Sequence, residues 1–238
     1  MNTHAPAASR NRLRSGLPGF AALLLAGCSH IPSLHQATLA SYEPTNVYRE
    51  HEHLPMRVKR VALLPVTTIT EDATLQFGRE TLEPVLLQEF TRCRQFELVP
   101  VTAGQLRLMT GQDTWTAEER LPADFFEKLK DRFGVDAVVF ARLTQYRPYE
   151  PVSVGWRLKL LEVEQPHILW AIDEVFDSRQ PRVAAGARRF AKENPEAPGL
   201  ASEVEGVLTS PRRFGQYTVN SAVATMPGRA RVILSGQP

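Results

Sequence analysis

One cysteine, Cys28, follows the apolar run near the amino terminus of this 238-residue chain, and its thiol could take part in covalent chemistry. The segment before it starts with a basic stretch that carries three arginines and no acidic residue, and continues with apolar residues from Gly16 to Ala26. That run is shorter than the roughly 20 residues that a membrane-spanning helix needs. A basic start, a short apolar core and small residues at Ala26 and Gly27 are typical of a secretory signal peptide.

The end of this segment resembles the lipobox of bacterial lipoproteins, carried here by Leu25, Ala26, Gly27 and Cys28. The resemblance implies that the Cys28 thiol receives a diacylglyceryl group, that residues 1–27 are cleaved off as the signal, and that the new amino group is acylated. Two or more acyl chains hold a protein on a membrane durably. Ser29, after the cysteine, implies the outer membrane with the protein facing the periplasm. The alternative is a chance cysteine after an ordinary secretory signal.

The charge of the chain argues against nucleic-acid binding. The whole chain has a formal charge of +2, with 28 basic and 26 acidic residues, but residues 1–27 contain three of the arginines and no acid. Without them the formal charge is −1, and no clustered basic stretch remains for a nucleic-acid surface. Cys93 is the only other cysteine, so lipidation of Cys28 would exclude a disulfide within the chain.

No catalytic motif is present in the sequence. It has no Gly-x-Ser-x-Gly, no glycine-rich phosphate loop, no His-Glu-x-x-His and no paired Cys-x-x-Cys. Asp173 and Glu174 are adjacent on a predicted strand and should point to opposite faces, so they cannot form one acid/base pair. Glu80 and Glu83 share a predicted first helical turn, where acidic residues usually favour the helix dipole. We therefore expect a non-enzymatic protein without a cofactor, the alternative being an envelope enzyme with an unrecognised site.

His51, Glu52 and His53 suggest a metal site, because alternate residues of an extended chain point to one side. Two histidines without a third ligand nearby are more typical of a solvated linker. The sequence therefore predicts no metal site here.

Three regions follow the signal. Residues 28–56 carry scattered prolines and no apolar period, which predicts a flexible tether. Residues 57–177 alternate predicted strands and helices, which indicates one α/β (α+β) domain with a mixed sheet of about five strands flanked by helices. Residues 178–238 predict a helical extension that packs on this domain, with helices at 181–192 and from Ser210 to Pro227.

Within the domain, strands are predicted at 57–66, 96–101 and 136–146, followed by an antiparallel hairpin over 154–176. Helices are predicted at 78–95, at 102–108, and from a capping box at Thr116 to Phe133. The hairpin contains Trp156 and Trp170, which we interpret as buried neighbours on its apolar side.

One segment suits contact with another protein. Tyr146, Arg147 and Tyr149 surround Pro148 at the end of a predicted strand, which makes a stiff segment that is expected to be exposed. The three residues are the candidate partner contact, and the alternative is a simple connection between strands.

Three sequence segments carry a further resemblance: Arg60-Val-Ala-Leu-Leu-Pro-Val, Phe96-Glu-Leu-Val and Gly134-Val-Asp-Ala-Val-Val-Phe-Ala-Arg-Leu. In this order they resemble a periplasmic domain shared by the curli-secretion lipoprotein family, the amino-terminal domain of TolB and lipoprotein activators of peptidoglycan synthases. The resemblance covers residues 57–177. It implies a mixed sheet used for protein contacts in the cell envelope, and it brings no catalytic residue.

A subunit of a curli-secretion-like outer-membrane channel is the alternative that this resemblance raises. Residues 154–176 have the length of a membrane hairpin. Charged residues, including Arg157, Lys159 and Asp173, interrupt the side that would face lipid. The sequence therefore favours a lipid-anchored envelope lipoprotein that binds a protein partner, or a second copy of itself, without catalysis.

Lipidation is the first testable prediction. We expect the mature protein to begin at an acylated Cys28, because the preceding residues have the charge, apolar core and small side chains of the signal. Mass spectrometry of the amino-terminal peptide measures this. Cys28→Ser should release the protein from membranes, and Ser29→Asp should shift it toward the inner membrane. An unmodified Cys28, or membrane association that Cys28→Ser leaves intact, would contradict the prediction.

Overall fold

The structure is a computed structural model and describes residues 42–195 and 202–229. The strands are β1 (Val47–Arg49), β2 (His53–Leu54), β3 (Arg60–Leu63), β4 (Thr67–Thr68), β5 (Glu97–Pro100), β6 (Ala137–Arg147), β7 (Ser153–Glu162), β8 (Ile168–Asp177) and β9 (Gly228–Arg229). The helices are α1 (Ala73–Arg92), α2 (Ala103–Thr110), α3 (Phe125–Phe133), α4 (Pro181–Glu193), α5 (Ser202–Thr209) and α6 (Pro211–Val223). None of the described helices is long and apolar enough to cross a membrane.

Seven strands form the main sheet in the order β1-β8-β7-β6-β3-β5, with β4 also paired to β6. Strand β3 is parallel to both β5 and β6, whereas β6, β7, β8 and β1 are successively antiparallel. Strands β2 and β9 pair separately as a short parallel ladder. The predicted mixed α/β fold class is confirmed, and the sheet has two more strands than the expected five.

The two faces of the sheet carry separate cores. On the first face, α1, α4 and α6 cover apolar side chains of β3, β6, β7 and β8, and α5 packs against α4 and α6. On the second face, α2 and α3 cover Ala62, Leu64, Val138 and Phe140, around the buried Phe125 and Leu129. The outward residues of β7, β8 and β1 on this second face lie beyond both helices. Tyr48 there is 52% exposed and Val175 is 37% exposed.

The sequence predicted a flexible tether that extends to residue 56. For residues 42–56, which the structure describes, this prediction is wrong. Strand β1 pairs with β8, with Val47 opposite Ile172, and Leu54 is buried. Strands of two or three residues are too short to show an apolar period. The folded unit therefore includes the chain from Tyr42 onward.

Two helix boundaries also differ from the expected ones. Helix α1 begins at Ala73 because the Asp72 carboxylate caps it, accepting hydrogen bonds from the Thr74 and Leu75 amides. Pro84 consequently lies inside that helix and not near its start. The helix expected from Thr116 begins only at Phe125, and Thr116 starts a single turn in which its amide donates to Glu119.

The carboxyl-terminal helices belong to the core. Phe214, Tyr217 and Val219 of α6 are buried against the sheet and α1. The two predicted buried tryptophans lie beneath this helix, and their indole N–H groups donate to Thr218 and Thr225 at 3.0 Å each. Trp156 pairs with Glu174 and Trp170 with Leu160, so the two rings share a face without being direct cross-strand partners.

A close approach between α1 and β6 gives a stability prediction. A Cβ atom at Gly78 would lie 2.5 Å from Cγ of the buried Tyr146 ring. We expect Gly78→Ala to lower the free energy of unfolding by about 1–3 kcal/mol, because overpacking outweighs the better helix propensity of alanine. Urea unfolding measures the change.

Gly104→Ala is the matched control, since Gly104 lies in helix α2 with open space around its Cβ position. This variant should be neutral or more stable by up to about 1 kcal/mol. Equal effects of the two substitutions would show that the approach of α1 to β6 is not tight.

Candidate partner-binding surface

The connection between β6 and β7 carries the three residues that the sequence singles out. Tyr146 and Arg147 are the last two residues of β6, and Tyr149 lies in the following loop. Residues 147–153 are called the hairpin tip below. The tip begins where the strand pairing ends, at Ser153, which pairs with both Arg147 of β6 and Asp177 of β8.

Tyr146 does not lie on the surface as the sequence predicted. Its side chain is 6% exposed and packs in the first core, beneath the α1 residue Gly78. A bulge between Leu143 and Gln145 allows both Leu143 and Tyr146 to face this core, although they are three residues apart. Tyr146 therefore supports the tip from below.

Arg147 fixes the conformation of the tip. Its Nε donates a hydrogen bond to the Pro151 carbonyl, and its Nη2 lies 3.3 Å from Asp177 Oδ1. Arg179 holds the same carboxylate, with Nη2 2.6 Å from Oδ2. The hydrogen bonds from Arg179 keep the pKa of Asp177 below its usual range. A carboxylate that stays ionised anchors both arginines.

Tyr149 is the exposed member of the predicted contact, with 80% of its surface accessible. Phe77 of α1 is a further exposed aromatic residue near the end of β6, since it is 58% exposed and meets the Tyr146 ring edge-on at a centroid distance of 6.3 Å. Two large exposed aromatic groups on a rigid support are the kind of feature that anchors protein interfaces.

Sequence reasoning missed Phe77. The buried positions of α1 include Leu75, Leu82 and Leu86, and Phe77 lies off that apolar stripe. A large aromatic residue outside the stripe of an amphipathic helix is a signal that the sequence contains, but it can be read only once the start of the helix is known.

A second surface, which is polar, lies on the part of the second sheet face that α2 and α3 leave uncovered. Arg142 of β6 lies opposite Arg157 of β7, and Arg157 lies opposite Asp173 of β8. Arg157 Nη2 is 2.6 Å from Asp173 Oδ2. Glu118, from the loop before α3, reaches over β7 and contacts Lys159 at 2.7 Å. This surface carries mainly charged groups, whereas the tip exposes aromatic ones.

The acidic candidates lie apart from one another. Asp173 binds Arg157 on the second face, whereas Glu174 accepts the Thr45 amide, so the two point apart as predicted. Glu83 accepts the Val66 amide at 3.0 Å and thereby joins α1 to the end of β3. Glu80 is exposed on α1.

The histidine cluster of the sequence is also divided. His51 Nε2 is 3.8 Å from the Glu50 carboxylate, and His53 lies in β2. Among residues 42–195 and 202–229, no three His, Cys, Asp or Glu side chains form a metal-binding group. His167 is half-buried, with Nε2 2.9 Å from Glu50.

The remaining cysteine of the described chain, Cys93, is partly buried, and burial raises the pKa of its thiol. The lipidation site predicted at Cys28 and the signal residues Leu25, Ala26, Gly27 and Ser29 lie outside the described residues.

A comparison with protein families finds no match, and a comparison with curated proteins finds none either. Among solved structures, the chain is similar to lipoprotein GNA1162 from Neisseria meningitidis, with 17% identity over 58% of this chain and 99% of that one, at a TM-score of 0.37. It is similar to a PelC dodecamer from Paraburkholderia phytofirmans, with 12% identity over 60% of this chain and 85% of that one, at a TM-score of 0.35.

The carboxyl-terminal domain of LpoB from Escherichia coli is a third similar structure, with 15% identity, 50% coverage of this chain, 82% of that one and a TM-score of 0.32. One of the three is thus a bacterial lipoprotein. All of these TM-scores are below 0.5, so the similarities assign neither a family nor an activity.

The role of Arg147 gives a prediction about local dynamics. Arg147→Met removes the hydrogen bond to Pro151 and the ion pair with Asp177, so the Ser178 amide, which donates to the Val152 carbonyl of the tip, should exchange hydrogen several-fold faster. Hydrogen exchange read by mass spectrometry measures this. Arg107→Met is the control. It removes an exposed ion pair between Arg107 of α2 and Asp113, and it should leave hydrogen exchange at the tip unchanged.

The pH dependence of this exchange follows from Asp177. Its contribution is complete above the pKa of an unfolded aspartate, about 3.9, and is lost as the pH falls through the lower folded value. After correction for intrinsic rates, protection of the tip should therefore stay constant from pH 8 to pH 5. Loss of protection within that range would show that Asp177 is not the anchor.

Proposed function

We propose that the protein is a lipid-anchored module of the bacterial cell envelope that acts by binding a protein partner and not by catalysis. The anchor is the acylated Cys28, and the location is the periplasmic side of the outer membrane. The described part of the folded unit begins at Tyr42. The sequence from the basic start to Ser29 supports this part of the proposal.

The observation that carries the binding role is the exposure of Tyr149 on an anchored loop. A side chain that is fixed before binding loses little conformational entropy when a partner covers it. Arg147 and Asp177 fix the loop, and Tyr146 supports it from the core. Phe77, which contacts the Tyr146 ring, is a second exposed aromatic side chain. These properties make the tip a suitable anchor for an interface.

Two of the buried carboxylates in the described part of the chain hold arginine side chains. Asp177 and Glu162 are almost completely buried, and hydrogen bonds from Arg179 and Arg57 lower their pKa values. A general acid at neutral pH needs the opposite shift. These two carboxylates therefore act as fixed acceptors for arginine.

The position of the β7–β8 hairpin disfavours the channel alternative. Both strands lie inside the sheet, and their first face packs against α6 through Trp156 and Trp170. In this fold the apolar side of the hairpin is thus already buried by protein.

Photo-crosslinking in intact cells tests the proposal. We replace Tyr149, or in a second strain Phe77, with p-benzoylphenylalanine in the full-length protein, and identify adducts by mass spectrometry. We expect the same adduct from both positions. Leu108 is the control, since it is as exposed as Tyr149 and lies on α2, a different element from the tip and from α1, which carries Phe77.

The affinity of the identified partner, which can be a second copy of this chain, then provides the quantitative test. Phe77→Ala and Tyr149→Ala should each weaken binding by about tenfold, the effect of removing an aromatic anchor. Leu108→Ala should leave it unchanged. Adducts that form equally from all three positions, or from none, would contradict the proposal.

A further inference from the structure

The uncovered sheet face places three cations close together. Arg142, Arg157 and Lys159, called the cation cluster here, project from β6 and β7 and are between 23% and 34% exposed. Arg142 and Arg157 are direct cross-strand neighbours. Like charges directly opposite one another destabilise a sheet. An anion between them would relieve this repulsion.

The molecule itself supplies one carboxylate to this position. Glu118 lies 2.7 Å from Lys159 Nζ and 3.9 Å from the nearest nitrogens of Arg142 and Arg157. Burial opposes the ionisation of Glu118, but Lys159 and Arg157 outweigh it and lower its pKa. The cluster therefore already binds the carboxylate of a peptide segment.

One carboxylate does not use all the hydrogen-bond donors of the cluster. The buried Nε of Arg142 has no hydrogen-bond partner among the described residues, and the nearest carboxylate to this side chain is 3.9 Å away. Arg157 is paired with Asp173, but within the part of the chain that the structure describes Arg142 has no comparably close partner. Nε itself is out of reach of a ligand, but the terminal nitrogens of Arg142, whose side chain is 24% exposed, can donate to an additional acceptor.

The surface beside the cluster fits a peptide better than a small ion. A groove of about 400 Å³ runs over β7, β8 and β1, and Arg142 lies beyond its β6 edge. Tyr48, Asn46 and Ala171 line it together with Arg157, Lys159 and the two carboxylates that pair with them, Glu118 and Asp173. Three strand spacings from β6 to β1 span about 14 Å, the length of four extended residues. The exposed Tyr48 ring and Ala171 offer apolar contacts that an inorganic ion would not use.

We propose that the cation cluster binds an acidic peptide segment of the protein partner, with one partner carboxylate replacing that of Glu118. The inference rests on the proposed protein-binding function and names the chemistry of the partner. The cluster lies on the same face as the tip residue Arg147, and Arg157 is four residues, about 13 Å, from Ser153 along β7. One partner can therefore contact both surfaces.

The test uses the full-length lipidated protein in detergent and a fluorescent hexaglutamate peptide as the probe. Glu118→Gln removes the internal competitor and keeps the shape of the side chain, so the affinity for hexaglutamate should rise about two- to fivefold, the range of a partly exposed ion pair. Arg142→Gln and Lys159→Gln should each lower it by a similar factor. A hexaglutamine peptide should not bind.

Arg189→Gln is the matched control, because Arg189 is an exposed arginine paired with Glu193 on α4, which lies on the first sheet face. It should leave binding unchanged, and circular dichroism melting curves should show that all variants are folded. Unchanged or weaker binding by Glu118→Gln would overturn the inference. Equal losses from Arg189→Gln and Arg142→Gln would do the same, because they would indicate attraction by charge alone.

Inorganic phosphate separates a peptide site from a small-anion site. At equal charge concentration it should displace hexaglutamate poorly, and efficient displacement would overturn the assignment of a peptide. Crosslinking at Tyr149 tests the underlying function separately. If a partner adduct forms but Arg142→Gln and Lys159→Gln leave hexaglutamate binding unchanged, this inference is overturned and the proposed function stands. Absence of any adduct would remove the proposed function itself.

Discussion

The rest of the fold depends on two buried indole N–H groups that need acceptors. Trp156 and Trp170 are fully buried on the first sheet face, where an unpaired N–H would cost about 1–3 kcal/mol. The hydroxyls of Thr218 and Thr225 accept from them, and both lie in or just after α6. Helix α6 is thereby placed over β7 and β8 in one register. Its position determines which surfaces of the sheet remain free.

With α6 in place, α1 must pack beside it. The buried Glu89 carboxylate of α1 accepts hydrogen bonds from Gln216 and Asn220 of α6 and from Arg92 of its own helix. Gly215 lets Leu82 approach closely, since a Cβ there would clash with a Leu82 methyl carbon. All four helices that bury the tryptophan face thus lie on one side, and only α2 and α3 of the described helices are left to cover the other. They cover the β3 half and leave the charged half open.

Elements with a regular pattern of apolar residues or a capping residue could be predicted from the sequence. Features that form only through contacts between residues far apart in the chain could not. The hairpin, its two buried tryptophans and the start of α6 at Ser210-Pro211 all follow from alternation or capping. Strand β1 could not be predicted, because its three residues become a strand only through pairing with β8. Glu118 likewise carries no local signal, since Lys159 and Arg157 lie about 40 residues away in sequence.

The bulge in β6 explains why the tip and the cation cluster share one face. Strict alternation would put Leu143 and Gln145 on the same side, but the bulge lets Tyr146 enter the core instead. The two residues displaced by the bulge need space on the second face, and Gly155 provides it, since a Cβ there would lie 2.5 Å from Thr144 Oγ1. Arg147 then comes out on the second face, within reach of Asp177. One extra residue opposite one glycine thus sets the direction of the loop that presents Tyr149.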